Sequence, residues 1–338
     1  MILAGIDEAG YGPMLGPLVV SAAVFRAPAP TTATAGRSQD SASDLWQRLA
    51  PLVTRRPEAG RIAVNDSKKL FSQQKGVGAL EEGLLPFLYL RHGRVPRGLR
   101  ELLQQISRRG RGAADAYLDE YPWYRGRDVT IPNDTWNAVI ERQAAKLAEV
   151  SAAAGVEFLG VASTPIEVIE LNRGIEREDK KSQVSFLAIG RFLRRLWRQY
   201  GDEDVDVVVD RQGGRTQYAR HLFAAVKPQG LAIDVESDET SSYRLLRRRR
   251  PGDASLPTFR VTFTKESEDH SLPVALASMS AKYVRELHMA IFNRYFVEQQ
   301  SDLRPTAGYV VDARRFLVDT SELRARLGID PALLIRRK

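Results

Sequence analysis

The chain of 338 residues is long enough for one large domain or two smaller ones, and 43% of its residues are hydrophobic. It carries 50 Lys and Arg against 42 Asp and Glu, a net charge of +8 that favours an anionic partner such as nucleic acid. It contains no cysteine, which excludes disulfides, thiolate metal sites and a cysteine nucleophile. Its four histidines lie far apart in the sequence, so carboxylates are the natural ligands for any metal ion.

The sequence shows no targeting or membrane segment. No stretch has the 18 or more apolar residues of a membrane span. Acids stand at positions 7 and 8, where a signal peptide would need its apolar core. We therefore predict a cytoplasmic protein without a membrane partner.

The first two predicted elements are short strands. Apolar residues at 2–6 and 18–25 are separated by a loop rich in Gly and Pro, which is typical of neighbouring strands. The first strand ends at two adjacent carboxylates, Asp7 and Glu8, which point to opposite faces of an ideal strand. Both reach one site only if the chain bends there, and Gly10 supplies such a bend.

Two segments that follow interrupt this regular pattern. Residues 28–45 are rich in Ala, Thr, Ser and Pro without periodicity, which predicts a mobile surface loop. Residues 71–133 mix apolar, basic and aromatic side chains, and we interpret them as a partly helical insertion. This insertion either binds nucleic acid or forms a helical layer that packs on the main domain through Leu102, Leu103 and Ile106.

The second half of the chain alternates strands and helices. Asn133 or Asp134 is a candidate cap for a helix that places Trp136 on its apolar face. A strand and a long helix follow, and then a buried strand that ends at Asp210. Another strand, an acidic loop and a helix that starts near Pro273 complete the pattern. Such alternation indicates an α/β domain.

Several carboxylates stand at or just after strand ends. They are Asp7, Glu8, Asp210 and the neighbouring Glu268 and Asp269 of the acidic loop. Sites in α/β sheets form beyond strand ends, and converging carboxylates repel one another unless a cation lies between them. Two hard divalent ions would fit this set, activate a water and stabilise the leaving oxygen of a phosphodiester. The alternative for any single acid is a turn or cap residue.

Six segments resemble motifs of the ribonuclease HII and HIII family, among them IEVIELN, which is similar to the family's Ile-Asp-x-x-Asn helix entry. GIDEAGYGPMLGPLVV is similar to the opening Asp-Glu pair and Gly-rich loop, and NDSKKL is similar to the second motif. VVVDRQGG, LPVALASMSAKYVREL and TAGYVVD are similar to later motifs, in the family's order. The resemblance implies an α/β ribonuclease H-like fold, with a mixed five-stranded sheet flanked by helices, an insertion and a C-terminal extension.

The resemblance also divides the chain. Residues 1–70 and 134–300 would form the catalytic domain, 71–133 the insertion, and 301–338 a substrate-contacting segment. It implies a monomeric endonuclease that cleaves the RNA of RNA/DNA hybrids, or ribonucleotides embedded in duplex DNA, with two Mg²⁺ or Mn²⁺ ions.

Carried over by position, the resemblance names the residues of the site. Asp7, Glu8 and Asp210 would be catalytic metal ligands. For the fourth acid, a gap-free alignment selects Glu268 and another alignment selects Asp269; we favour Glu268.

The implied substrate-binding residues are Gly10, Tyr11, Gly12, Lys68 and Tyr309. Tyr11 departs from the family, which has Arg or Lys between these two glycines. Tyrosine lacks that charge, although it can stack or donate its hydroxyl.

Other interpretations remain open. One is a nucleic-acid-binding protein that has the same fold but little or no nuclease activity. Another is an actin-like sugar kinase or ATPase, but we identify no second Asp-Gly phosphate loop of the kind that such a protein needs. Arg211 and Arg215 flank two glycines and form either a phosphate-contacting turn or a solvated one.

Overall fold

The structure is a computed structural model that describes residues 1–29, 45–107, 114–133, 135–247 and 256–337. Most of the loop predicted at 28–45 therefore lies outside the described residues. The strands are β1 (Ile2–Ala9), β2 (Leu18–Arg26), β3 (Val53–Thr54), β4 (Ile62–Ala63), β5 (Glu157–Ile166), β6 (Val205–Asp210), β7 (Gly230–Glu236), β8 (Thr240–Leu246) and β9 (Phe259–Thr264). The α-helices are α1 (Ser67–Leu70), α2 (Gly78–His92), α3 (Leu99–Ile106), α4 (Asn137–Ala153), α5 (Val168–Glu178), α6 (Lys181–Tyr200), α7 (Ala219–Val226), α8 (Leu272–Gln299), α9 (Val310–Asp319), α10 (Ser321–Arg326) and α11 (Pro331–Leu334).

Seven strands form one mixed sheet in the order β5-β2-β1-β6-β9-β8-β7. β1, β6 and β9 are parallel neighbours, whereas β2 runs antiparallel to β1 and β5. The α/β class is therefore confirmed, but the sheet is two strands larger than the five-stranded sheet expected, because the hairpin β7–β8 extends one edge. The side chains of β7 are half-buried or exposed, so this strand lacks the apolar run that marks a buried strand.

Helices cover both faces of the sheet. One core cluster contains residues of α2, α4 and α8, and a second contains residues of α6 and α7. Gly5 of β1 shows how closely α8 approaches, because a Cβ there would lie 2.1 Å from the backbone nitrogen of Val274. The start of α8 therefore lies directly on β1, which places the loop before α8 at the carboxyl end of the strand.

The helix expected after residue 133 begins later than predicted. α4 starts at Asn137, and its N-cap residue, Trp136, is 79% exposed and makes no side-chain cap. The predictions of an Asn133 cap and of Trp136 on the apolar face are wrong, and Asp134 lies outside the described residues. The backbone N–H of Asn133 donates to Glu81 Oε1 at 2.7 Å, which holds this residue in the preceding loop.

The insertion is part of the packed structure. α2 and α3 belong to the same core cluster as α8. α3 therefore forms a helical layer that packs on the main domain, which was one of the two alternatives for the insertion. The aromatic residues after α3 are also buried, which leaves their rings no face for stacking on bases. The buried residues concerned are Leu102, Leu103, Ile106, Tyr121, Trp123 and Tyr124. Among the helices described, none is long and apolar enough to cross a membrane.

Candidate active site

Parallel strands bring the predicted acids to one edge of the sheet. β1 and β6 pair in parallel, and the next residues beyond their paired segment are Asp7 and Asp210. Thr264, the last residue of β9, lies opposite Asp210, and Glu268 follows four residues later. The carboxyl ends of three neighbouring strands therefore deliver acids from three separate segments of the chain.

The adjacent pair on β1 straddles the sheet. Asp7 lies close enough to Ser278 on α8 for that hydroxyl to lower its pKa, whereas Glu8 accepts a hydrogen bond from Ser185 Oγ on α6. β1 stays paired with β2 through Ala9, so the bend lies not between the two acids but directly after them, at Gly10, where φ is 82°. Asp210, at the end of the neighbouring strand β6, is the acid whose charge raises the pKa of both. Their side chains alternate as in an ordinary strand, and each is held by a helix on its own face of the sheet.

All four acids have a raised pKa. Burial, and next the Asp210 charge, raise the pKa of Asp7 well above its usual range, and Glu268 adds to the effect. Burial also raises the pKa of Glu8 and of Glu268, and the Asp210 charge raises both further. Burial raises the pKa of Asp210, against a hydrogen bond from Ser267 Oγ at 3.1 Å. Four carboxyl groups in one desolvated region each resist ionisation.

The two candidates for the fourth acid have different surroundings. Glu268 is 7% exposed, and its Oε1 lies 3.8 Å from Lys68 Nζ. Its Oε2 is buried without a hydrogen-bond partner among the described residues. Asp269 instead forms an ion pair with Lys69. Glu268 is therefore the acid of this loop that faces the cluster, and Lys68 is the cation beside it.

Tyr11 has positive charge close to it. Lys181 Nζ, at the start of α6, lies 4.9 Å from the centre of the Tyr11 ring, which is 38% exposed. Burial and the Arg336 charge lower the pKa of Lys181, and the Glu8 carboxylate opposes them. Arg215 lies close enough for its charge to lower the pKa of Tyr11, although burial and Glu8 raise that pKa overall. The charge that Tyr11 lacks is thus present on two neighbouring side chains.

The Gly-rich loop is held by the last described residues of the chain. Arg336 donates to three carbonyl oxygens of the loop: that of Gly16 at 2.7 Å, that of Pro13 at 3.2 Å, and that of Gly10. The backbone N–H of Met14 donates to Gly308 O at 2.7 Å. Tyr309, half of whose side chain is exposed, follows Gly308 directly and therefore lies beside the same loop.

A metal-binding set was predicted from the acids, and their oxygens fit a hard divalent ion in chemistry and charge. The partnerless, buried Oε2 of Glu268 and the raised pKa values of all four acids support that fit. In the described parts of the chain, however, no three histidine or acidic side chains are arranged so as to hold a metal ion. Serine hydroxyls donate to Glu8 and Asp210 instead. The four acids lie at one edge of the sheet, but their carboxylates do not converge on one point.

Sequence reasoning missed several side chains that contact these acids or the Gly-rich loop beside them. Ser278 lies within a motif that had been noted, but Ser185 and Ser267 carry no local signal, because a serine in a helix or turn is ordinary. Lys181 and Arg336 likewise lack a sequence signal, since their partners come from distant parts of the chain.

Comparisons with known proteins gave structural matches alone. No protein-family model matches the chain, and no curated protein sequence is significantly similar to it. Ribonuclease HII of Archaeoglobus fulgidus, solved with PCNA, is 16% identical with a TM-score of 0.43; the match covers 100% of this chain and 95% of that one. Ribonuclease H2 of Pyrococcus horikoshii is 14% identical with a TM-score of 0.41, covering 99% and 92%. Bst-RNase HIII, solved with Mn²⁺, is 14% identical with a TM-score of 0.40, covering 99% and 66%.

Proposed function

We propose that this protein is a metal-dependent endonuclease that hydrolyses a phosphodiester bond at a ribonucleotide, either in RNA/DNA hybrids or within duplex DNA. One observation carries the proposal: Asp7, Glu8, Asp210 and Glu268 come from three strand ends to one edge of the sheet, where they are buried or half-buried and each has a raised pKa. Burial of four acids without a cation is unfavourable, so a site built this way is suited to divalent ions. The choice of a ribonucleotide as the substrate comes from the motifs that resemble those of type 2 ribonucleases H.

Each group has a role in this proposal. Mg²⁺ or Mn²⁺ ions held by the four acids would supply an activated water and neutralise charge on the leaving oxygen. Asp7 feels the charges of both Asp210 and Glu268, which suits it to be a shared ligand. The water oxygen forms a bond to phosphorus, the ester bond to the leaving oxygen breaks, and that oxygen takes up a proton.

Other groups would bind the substrate. Lys68, beside Glu268, would contact the reacting phosphate, and Lys181 with Arg215 would contact a neighbouring phosphate on the α6 side. Gly10, Tyr11, Gly12 and Tyr309 form the adjoining wall against which the sugar would lie. The cytoplasmic location and the monomeric state remain predictions.

The test uses two duplexes of equal length, one with a single embedded ribonucleotide and one with a full RNA strand on DNA. Each is incubated with the purified protein and Mg²⁺ or Mn²⁺, and products are resolved by length. We expect cleavage of at least one duplex, with no cleavage by Asp7→Asn. Arg142→Ala, on the exposed surface of α4, is the control and should cleave as the wild type does. Absence of cleavage of both duplexes by the wild type would refute the proposal.

A second candidate is a nucleic-acid-binding protein of the same fold without efficient cleavage. The observation in its favour is that the described carboxylates bind serine hydroxyls rather than converging on one point. Binding of both duplexes, together with no cleavage in either metal, would favour this candidate. Isothermal titration with Mn²⁺ separates the two further, because a nuclease site must bind the ion in wild type more tightly than in Asp7→Asn.

A further inference from the structure

A row of arginines lies along α6 beyond the acids. Arg191, Arg194, Arg195 and Arg198 recur at intervals of three and four residues, so they share one side of the helix. We call them the arginine stripe. The opposite side of α6 is buried in the core, so the stripe has a fixed orientation.

The arginine stripe lines a groove of about 440 Å³ between α6 and the edge strand β5. Thr164 of β5 forms the far wall, and none of the described residues that line the groove is acidic. Arg194 donates to Ala225 O and is anchored, whereas the other three arginines are exposed. None of the four pairs with a carboxylate among the described residues, so the charge of the three exposed arginines is available to an anionic partner.

The groove starts close to the acid cluster. Thr164 is opposite Val20 of β2, and Val20 is opposite Glu8 of β1, so the groove wall lies two strand spacings, about 10 Å, from Glu8. A second measure agrees with this. Ser185 of α6 binds Glu8, and Arg191 and Arg198 follow it at about 9 and 20 Å along the helix axis.

We infer that the arginine stripe is a second phosphate-binding surface, which holds the duplex beside the cleaved bond. At a rise of about 3.4 Å per base pair, the stripe reaches phosphates about three to six base pairs from the acids. This inference rests on the proposed function for its ligand, a duplex. An acidic protein would suit the same charge. However, a duplex that already lies across Glu8 in the proposed function extends into this groove, so no second partner is needed to explain the stripe.

The test compares two double variants that lose the same charge at the same helical spacing. Arg191→Ala/Arg195→Ala alters the stripe, and Arg142→Ala/Lys146→Ala alters exposed cations of α4 on the opposite face of the sheet. Binding to a fluorescent duplex with one ribonucleotide is measured in EDTA over a range of salt concentrations, so that no cleavage occurs. Circular dichroism melts check that both variants are folded.

We expect the stripe variant to bind about tenfold more weakly at about 0.1 M salt, with the slope of log K against log salt smaller by about 2. The control variant should match the wild type. Two further duplexes are shortened to about three base pairs on one side of the ribonucleotide or on the other. One of them should bind wild type and stripe variant equally well, because its phosphates no longer reach the stripe.

The outcomes separate this inference from the proposed function. Equal affinity and equal salt slope for the stripe variant and the control would overturn the inference, even if the wild type cleaves. Binding of each variant to polyglutamate is measured as well. If the stripe variant loses binding to polyglutamate but keeps its affinity for the duplex, the inference is overturned in favour of an acidic protein partner. A wild type that binds through the stripe but cleaves neither duplex would refute the nuclease proposal and leave the inference standing. In cleavage assays the stripe variant should show a raised KM and an unchanged kcat.

Discussion

The two sides of the acid cluster differ in character. On the α8 side, Asp7 lies near Ser278 in a densely packed region, where Gly5 allows the helix to contact the strand. On the α6 side, Glu8 meets a serine whose neighbours include Lys181 and, further along the helix, the arginine stripe. One side therefore holds the acids in place, and the other offers positive charge to a polyanion. Two adjacent residues of one strand face these two environments because strand side chains alternate.

The largest expected effect comes from Asp7→Asn. Removing one carboxylate from the proposed metal site should reduce cleavage by at least about a hundredfold, by analogy with the loss of one electrostatic contact in other active sites. The same change should raise Tm, since burial and the Asp210 charge make the ionised Asp7 unfavourable in the folded state. Cleavage rates and thermal melts measure both. A fall in Tm would mean that Asp7 stabilises the fold, contrary to the repulsion described here.

Gly5→Ala tests the tight packing on the α8 side. The new Cβ would lie 2.1 Å from a backbone nitrogen, and backbone cannot rotate away, so we expect a loss of about 3 kcal/mol or more in the free energy of unfolding. Gly213→Ala, in the turn after β6, is the matched control, because a Cβ there has nothing within 4 Å. Its effect should stay within about 0.5 kcal/mol in urea titrations. Similar effects for the two variants would contradict the tight packing of α8 on β1.

The buried His288 of α8 predicts a pH dependence of stability. Its Nδ1 lies 2.7 Å from Val284 O, its Nε2 lies 2.8 Å from the Tyr117 hydroxyl, and burial lowers its pKa to about 4. An unfolded histidine has a pKa near 6.5, so between these values the unfolded chain binds a proton that the folded chain does not. Stability is therefore present above pH 6.5 and falls as the pH drops toward 4, by up to about 3 kcal/mol.

Urea titrations at pH 7 and pH 4.5 measure this change in wild type and in His288→Asn. Asparagine does not titrate, so the loss between the two pH values should be smaller in the variant. The carboxyl groups with raised pKa values contribute in both proteins and largely cancel in the difference. An equal loss in both would show that the pKa of His288 is the same in the folded and the unfolded chain.

The smallest effect is expected from Lys181→Ala. It removes one cation beside Tyr11 on the α6 side, so duplex affinity should fall a few-fold and the salt slope should decrease by about 1. Lys146→Ala, an exposed lysine of α4, is the control. If Tyr11 itself binds the substrate by stacking alone, Lys181→Ala will bind as tightly as the control.

The parts of the molecule that sequence predicted are those set by local pattern. Apolar runs that end in acids predicted β1 and β6, and parallel pairing then brings Asp7 and Asp210 together. The hairpin β7–β8 was missed because the side chains of its edge strand are half-buried or exposed, without an apolar run. The helix start at Asn137 was missed because a distant glutamate binds the backbone N–H of Asn133. Lys181 and Arg336 act through contacts across long separations, and no local spacing records such contacts.

The Arg336 contacts also mean that the Gly-rich loop can be completed only late in synthesis. Gly16 and Arg336 are separated by 320 residues, so the Gly-rich loop is synthesised long before the side chain that binds its carbonyl groups. At about 5 to 20 residues per second, the interval is about 16 to 64 s. During that interval β1 and its acids already exist while their neighbouring loop lacks its anchor. A nascent chain therefore cannot complete this loop early, and the wall beside the acids is finished only after the rest of the sheet has been synthesised.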